Sequence, residues 1–245
     1  MPNWCSNTTT VYGSVDDLTK FVEVVKSDER SDEVASDLDG FPEARIFAKL
    51  LPFPENGHKN IELPDGGTGG SVFAKKDAIA GTIDGCQWCL DNWGTKWGDC
   101  HTRYEAELGE DYVEHGTQHV TFYYDTAWGP ADFTQIAKMY PNLTFITKYE
   151  EGGMCFAGAW AWTDGECVFD HTVNGDTNPL YPEHPDWDEM EEHPEKDLYG
   201  SYLDAMAKLI ELLETQALRA CGMSIHWIFA IGASEVNRDM VQRSG

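Results

Sequence analysis

The chain opens on a segment dominated by β-branched and aromatic residues. Residues 4–12, Trp-Cys-Ser-Asn-Thr-Thr-Thr-Val-Tyr, predict a strand. Gly13 ends it, and Ser14 followed by Asp16 and Asp17 marks a helix N-terminus with acids in its first turn. Val15, Leu18, Phe21, Val22 and Val25 then recur at helical spacing, so the chain begins strand–helix.

Residues 27–43 are acidic and poor in large apolar side chains, which predicts a solvated loop. Phe47 to Phe53 reads as a short apolar segment closed by Pro52 and Pro54, and residues 55–71 as a long glycine-rich loop. Asp84 to Trp93 predicts a helix stopped at Gly94, and residues 102–115 are acidic and polar. His119 to Asp125 is a strong strand. Trp128-Gly129-Pro130 is a turn that feeds a helix from Ala131 to Met139, with Pro130 suited to its first turn. Asn142 to Tyr149 and Cys155 to Thr163 predict strands joined at Gly152-Gly153. Asp164-Gly165 is a further tight turn, with Cys167 to Asp170 pairing back. Residues 118–170 therefore read β-α-β-β-β. After an acidic, proline-rich stretch over 174–197, Leu203, Met206, Leu209, Ile210 and Leu213 share one face of a helix from Leu198 to Ala220, stopped by Gly222. Residues 223–232 are apolar and of undetermined type.

This order predicts an α+β fold: an antiparallel sheet with helices packed on one face, plus a C-terminal helical extension. The expected division is residues 1–172 as the α+β domain with long acidic and glycine-rich loops. Residues 173–245 form the acidic loop and C-terminal helix, packed on the same domain. A hydrophobic share of 41% and an aromatic share of 12% supply a real core. No apolar run approaches the roughly 20 residues that span a bilayer, and no secretory signal is visible, so a cytoplasmic protein without membrane partners is expected. The seven cysteines are odd in number in a long chain, which argues for reduced, packed thiols.

Charge changes the picture. Lys plus Arg number 17 against 43 Asp plus Glu, a formal net charge of −26. Such a surface repels phosphate backbones and disfavours direct DNA binding, while it attracts basic proteins. The acids Glu183, Asp186, Asp188, Glu189, Glu191 and Glu192, together with the segment Asp28 to Asp39, are the candidate partner-binding residues.

Three segments centre on tryptophan: residues 1–7, residues 91–99 and residues 125–130. Trp beside Gly or Pro at a turn needs a packed slot and a partner for its indole N–H, so these segments define a fold and line one surface. Trp93, Lys96, Trp97 and Trp128 form a candidate site, with Lys96 as a lone cation between two tryptophans. Lys96 reads either as a lysine packed on Trp or as the anchor of a small anionic ligand, such as a nucleotide, stacked on the rings. Other chemistry is thinner. Gly66 to Ser71 lacks P-loop spacing. Cys86-x-x-Cys89 is followed by adjacent Cys100 and His101, a poor geometry for zinc. His184 and His193, each in an acidic His-Pro repeat, are weak metal candidates and the basis of a third reading as a metal-assisted hydrolase. No hydrolase or dinucleotide fingerprint occurs, so no cofactor and no catalytic residue is expected.

The segment Met-Pro-Asn-Trp-Cys-x-Asn at the N-terminus, Asn92-Trp93-Gly94-Thr95-Lys96-Trp97, Phe122 to Pro130 and the Tyr149 to Gly153 hairpin together resemble the Api92-like family of phage and plasmid proteins. The resemblance covers residues 1 to about 170 through motifs. It implies a ferredoxin-like domain, a mobile-element origin and hence a host bacterial cytoplasm, and it carries over no catalytic residue. The leading expectation is an acidic interaction protein that binds and inhibits a host defence or nucleic-acid-binding protein by charge mimicry.

Overall fold

The computed structural model describes residues 3–27, 42–52, 61–62, 68–69, 85–108, 118–193 and 196–223. In chain order the elements are β1 (Trp4–Tyr12), α1 (Val15–Val25), β2 (Lys26–Ser27), β3 (Glu43–Ala44), α2 (Ile46–Leu50), β4 (Ile61–Glu62) and β5 (Thr68–Gly69). They continue as α3 (Gly85–Trp93), β6 (Cys100–Glu107), β7 (His119–Ala127), α4 (Thr134–Met139), β8 (Thr144–Glu151), β9 (Phe156–Thr163), β10 (Glu166–Asn174), α5 (Trp187–Glu192) and α6 (Leu198–Ala220). Among them, eight strands form one sheet in the order β10-β9-β8-β1-β7-β6-β3-β2, and β4 pairs with β5 apart from it. Every ladder is antiparallel. The fold is α+β, as expected.

β1 lies inside the sheet, with Thr9 opposite Phe122 on β7 and Thr147 on β8. Successive side chains of a strand point to opposite faces, so its last two residues serve two cores. Val11 joins Val120, Phe122 and Phe145 on one face, against Leu18, Phe21 and Val25 of α1, Ile46 and Phe47 of α2, and Ile136 of α4. Tyr12 joins Ile146, Ala157, Ala159, Ala161 and Val173 on the other, under Met206, Leu209 and Leu213 of α6. The alanines of β9 let α6 come close to the sheet, whereas the first core is filled by rings. Phe21 meets Phe122, Phe145 and Tyr140 edge-on at 5.9, 5.6 and 5.1 Å between centroids. Burying a side chain such as Phe21 stabilises the fold by roughly 1.5–3 kcal/mol.

Local chemistry sets the element ends. Ser14 caps α1 by accepting the Asp17 N–H at 3.1 Å. The β9–β10 turn uses Asp164 and Gly165, with φ of 53° and 78°, the left-handed pair of a two-residue hairpin. In the β8–β9 turn, the buried Glu151 carboxylate accepts the N–H groups of Gly153 and Met154. Tyr149 lies over Gly158, its cross-strand partner, where any Cβ would fall 2.2 Å from the phenol oxygen.

Several expectations change. The polar stretch from 102 contains most of β6, because Tyr104 points into the core while Arg103 pairs with Glu43 at 3.2 Å and Glu107 lies 3.8 Å from His119. The α4 helix begins at Thr134, not Ala131: Asp132 accepts the Thr134 N–H at 2.8 Å and donates its own N–H to Trp93 O, so Pro130 is not in its first turn. β10 continues past Asp170 to Asn174, and a short helix, α5, interrupts the acidic stretch. The apolar segment near residue 47 is the helix α2. No change attaches to the C-terminal helix: α6 packs on β8, β9 and β10, and Lys148 Nζ meets Glu214 at 3.0 Å. Most of the loops expected over 27–43 and 55–71, and the apolar run at 223–232, lie outside the described residues.

Candidate functional site

The tryptophan segments converge at the end of β1 and β7. Trp4 is paired with Ala127, and the next residue, Trp128, donates its N–H to Asn3 O at 3.0 Å. Beneath this corner, Asn7 Nδ2 donates to Thr126 Oγ1 at 2.8 Å and to Cys5 O at 2.7 Å, and Thr126 Oγ1 donates to Gly129 O at 2.5 Å. These buried polar bonds hold the β1 start and the Trp128 turn as one unit. Burial pushes the neighbouring Cys5 thiol up to about 12, so it is a packed and unreactive cysteine at neutral pH.

The loop after α3 is fastened to the same corner. Gly94 takes φ 73°, where a Cβ would fall 2.8 Å from the Asp132 side chain. Thr95 Oγ1, buried, donates to Ala127 O at 2.6 Å. Asp99 closes the loop by accepting the N–H groups of Ile46 at 2.5 Å and Phe47 at 3.0 Å and the hydroxyl of Thr102 at 3.1 Å. Its carboxyl is raised to about 6 by desolvation, against the lowering effect of those hydrogen bonds.

Between these anchors, Trp4, Trp97 and Trp128 stand 41%, 40% and 47% exposed. The rings of Trp4 and Trp97 are 5.7 Å apart, and His101 lies 6.0 Å from Trp4. Lys96 Nζ sits 4.4 Å from the Trp128 ring centroid and 5.2 Å from that of Trp97. Two residues of the cluster hold left-handed backbone, Trp128 at φ 73° and His101 at φ 55°. For a tryptophan that conformation is costly, and such strain concentrates at binding and switch regions. On the same sheet face, Ser6 lies in register with Asp125 on one side and Glu150 on the other, and its hydroxyl donates to Asp125 at 3.1 Å. His101 Nδ1 stands 3.8 Å from Asp125.

Of the four residues expected to act together, Lys96, Trp97 and Trp128 meet. Trp93 faces inward instead: its Nε1 donates to Leu51 O at 3.0 Å and its ring packs on Phe47 and Trp88. Trp4 and His101 complete the cluster, and neither followed from the loop sequence alone. Trp4 arrives through the β1–β7 register, and His101 through the turn into β6. With its ammonium over two ring faces, Lys96 has the geometry of a packed cation more than of a group presented to an anion.

The other candidates fall elsewhere. Glu183, Asp186, Asp188, Glu191 and Glu192 are exposed, on α5 and the segment before it; the side chain of Glu189 and the segment Asp28 to Asp39 lie outside the described residues. His184 packs against Tyr202 at 4.9 Å and Tyr199 at 6.0 Å. Among the described residues no three His, Cys, Asp or Glu side chains come together as a metal site would require. Cys86 and Cys89 both fall on α3, where Cys89 is buried. No helix among the described residues is long and apolar enough to cross a membrane.

The sheet with its flanking helices defines a class, an antiparallel α+β domain of ferredoxin-like type. Residues 102–193 match the family model described as the ferredoxin-like domain in Api92-like protein. Among solved structures, that of a protein Api92 from Yersinia pseudotuberculosis is similar at 9% identity, covering 76% of this chain and 100% of that one with a TM-score of 0.42. No curated protein matches the chain.

Proposed function

We propose that the protein acts by binding, and that its partner is a host protein with a basic surface, met in the cytoplasm of a bacterium that carries the encoding phage or plasmid. The observation behind this reading is the cluster of Trp4, Trp97 and Trp128, half exposed and gathered in one corner of the sheet. Large exposed aromatic patches mark interaction sites, and tryptophan is the residue type most enriched where a few side chains carry most of the binding energy. Burying three such rings against a partner releases far more apolar surface from water than a scattered exposed leucine would.

Charge selects the partner. A net charge of −26, with the exposed acids of α5 and Asp125 and Glu150 beside the tryptophans, favours a basic surface and disfavours nucleic acid. An acidic protein seated on the basic groove of a nucleic-acid-binding protein competes with its DNA or RNA, which is inhibition by charge mimicry. The test is affinity capture of the tagged protein from a bacterial lysate at about 0.05 M and about 0.5 M salt, where the Debye length falls several-fold. A stoichiometric basic partner held at low salt and released at high salt is the expected result. Partners held equally at both salts would rule out the charge-based reading.

A further inference from the structure

Lys96 places a positive charge over two indole faces at once, in a chain where acids outnumber bases by 43 to 17. The distances of 4.4 and 5.2 Å lie within the roughly 6 Å at which a ring quadrupole attracts a cation. Trp128 reaches this position through a left-handed backbone fixed by its N–H bond to Asn3. Trp97 is set by the Thr95 and Asp99 anchors on either side of it. The backbone that carries both walls is thus held by the fold, while the cation between them sits on a four-carbon stem.

We infer that Trp97 and Trp128 form an aromatic cage for an arginine side chain of the protein partner, and that Lys96 fills this cage in the free protein. The inference rests on the partner-binding reading above and names what that surface recognises. A guanidinium stacks flat on indole and is more weakly hydrated than an ammonium, so it is the better occupant once the partner is docked. Asp125 and Glu150, in register on either side of Ser6 and two residues from Trp4 on the same face of β1, supply carboxylates for further cations of the same segment. Lys96 lowers the affinity for cations that reach the cage singly and leaves the site to a partner that brings an arginine together with other contacts.

The experiment is a titration of the full chain with the peptide acetyl-Gly-Arg-Gly-Arg-Gly-amide at low salt, followed by tryptophan fluorescence. The proteins compared are the wild type, Lys96→Ala, Lys208→Ala, and Lys96→Ala combined with Trp128→Ala. Opening the cage is expected to tighten binding about tenfold in Lys96→Ala, the scale of one desolvated cation–π contact. Lys208→Ala makes the same change in net charge on exposed α6 and is expected to bind as the wild type does. The double variant is expected to lose the gain. If Lys96→Ala lowers the melting temperature, Lys96→Ser, which also vacates the cage, takes its place. The inference is overturned if opening the cage brings no gain, if Lys208→Ala gains as much, or if the gain survives loss of Trp128. Peptide binding that follows this pattern with no basic partner in the lysate would remove the partner reading and leave the cage; a salt-sensitive partner with no gain in Lys96→Ala would do the reverse.

Discussion

The buried carboxylate of Asp99 caps a helix to which it does not belong: it accepts the N–H groups of Ile46 and Phe47, the first two residues of α2, from 53 and 52 positions away. Arg45, the residue before α2, makes no side-chain cap of its own. One side chain thus ties the tryptophan loop to the first core.

Replacing Asp99 with Asn leaves one acceptor where two were engaged and turns an amide toward a backbone N–H. The expected cost is about 1–3 kcal/mol, read by chemical denaturation at pH 7. The pH dependence has a defined sign. The folded-state carboxyl titrates at about 6 against an ordinary 3.8, so the folded chain binds this proton more tightly than the unfolded one. The contribution of Asp99 to stability is therefore greatest below about pH 4, falls as pH rises through the interval to about 6, and is flat above it. Subtracting the Asp99→Asn curve from that of the wild type isolates this slope.

Arg103 and Glu43 join β6 to β3 as a nearly buried ion pair at 3.2 Å. Removing one partner takes the ion pair away from a nearly buried charge. Arg103→Met is expected to cost about 3–5 kcal/mol, and the double variant with Glu43→Met to recover a large part of that loss. Urea denaturation of the four proteins of the cycle checks it.

A methyl group at Gly158 would meet the Tyr149 hydroxyl at 2.2 Å and the His171 carbonyl at 2.7 Å, one of them backbone that cannot turn away. Gly158→Ala is expected to destabilise the chain by about 1–3 kcal/mol through overpacking, seen as a lower Tm in calorimetry.

The strands of the 118–170 region were legible because β-branched and aromatic runs agree there with turn chemistry: Asp164-Gly165 demands the hairpin between β9 and β10, and Gly152-Gly153 falls in the turn that joins β8 to β9. β6 was hidden because its charges are satisfied by residues distant in sequence, Glu43 and His119. The site was half legible. Lys96 and Trp97 are neighbours in the chain, and the glycine beside Trp128 marked its turn. Trp4, not Trp93, lies beside Trp97, since only the register of β1 on β7 shows which indole joins that ring and which packs under Leu51. Asp99 gave no signal at all, because a cap supplied from another segment has no local spacing.

The exposed acids are expected to set the association rate with the proposed basic partner. Replacing Glu183, Asp186, Asp188, Glu191 and Glu192 by their amides removes five negative charges from solvated positions. The melting temperature is expected to change little. The association rate with the basic partner is expected to fall several-fold at low salt and its salt dependence to become shallower, as surface plasmon resonance would record.

The most direct test places the tryptophan corner itself at risk. Wild type and Trp4→Ala, the latter first shown by calorimetry to fold cooperatively, are used side by side as bait in the same lysate at low salt. The expected result is a stoichiometric basic protein on the wild type and at least a tenfold loss on Trp4→Ala, as for a central aromatic contact. Equal recovery on both baits, or no such protein on the wild type, would contradict it.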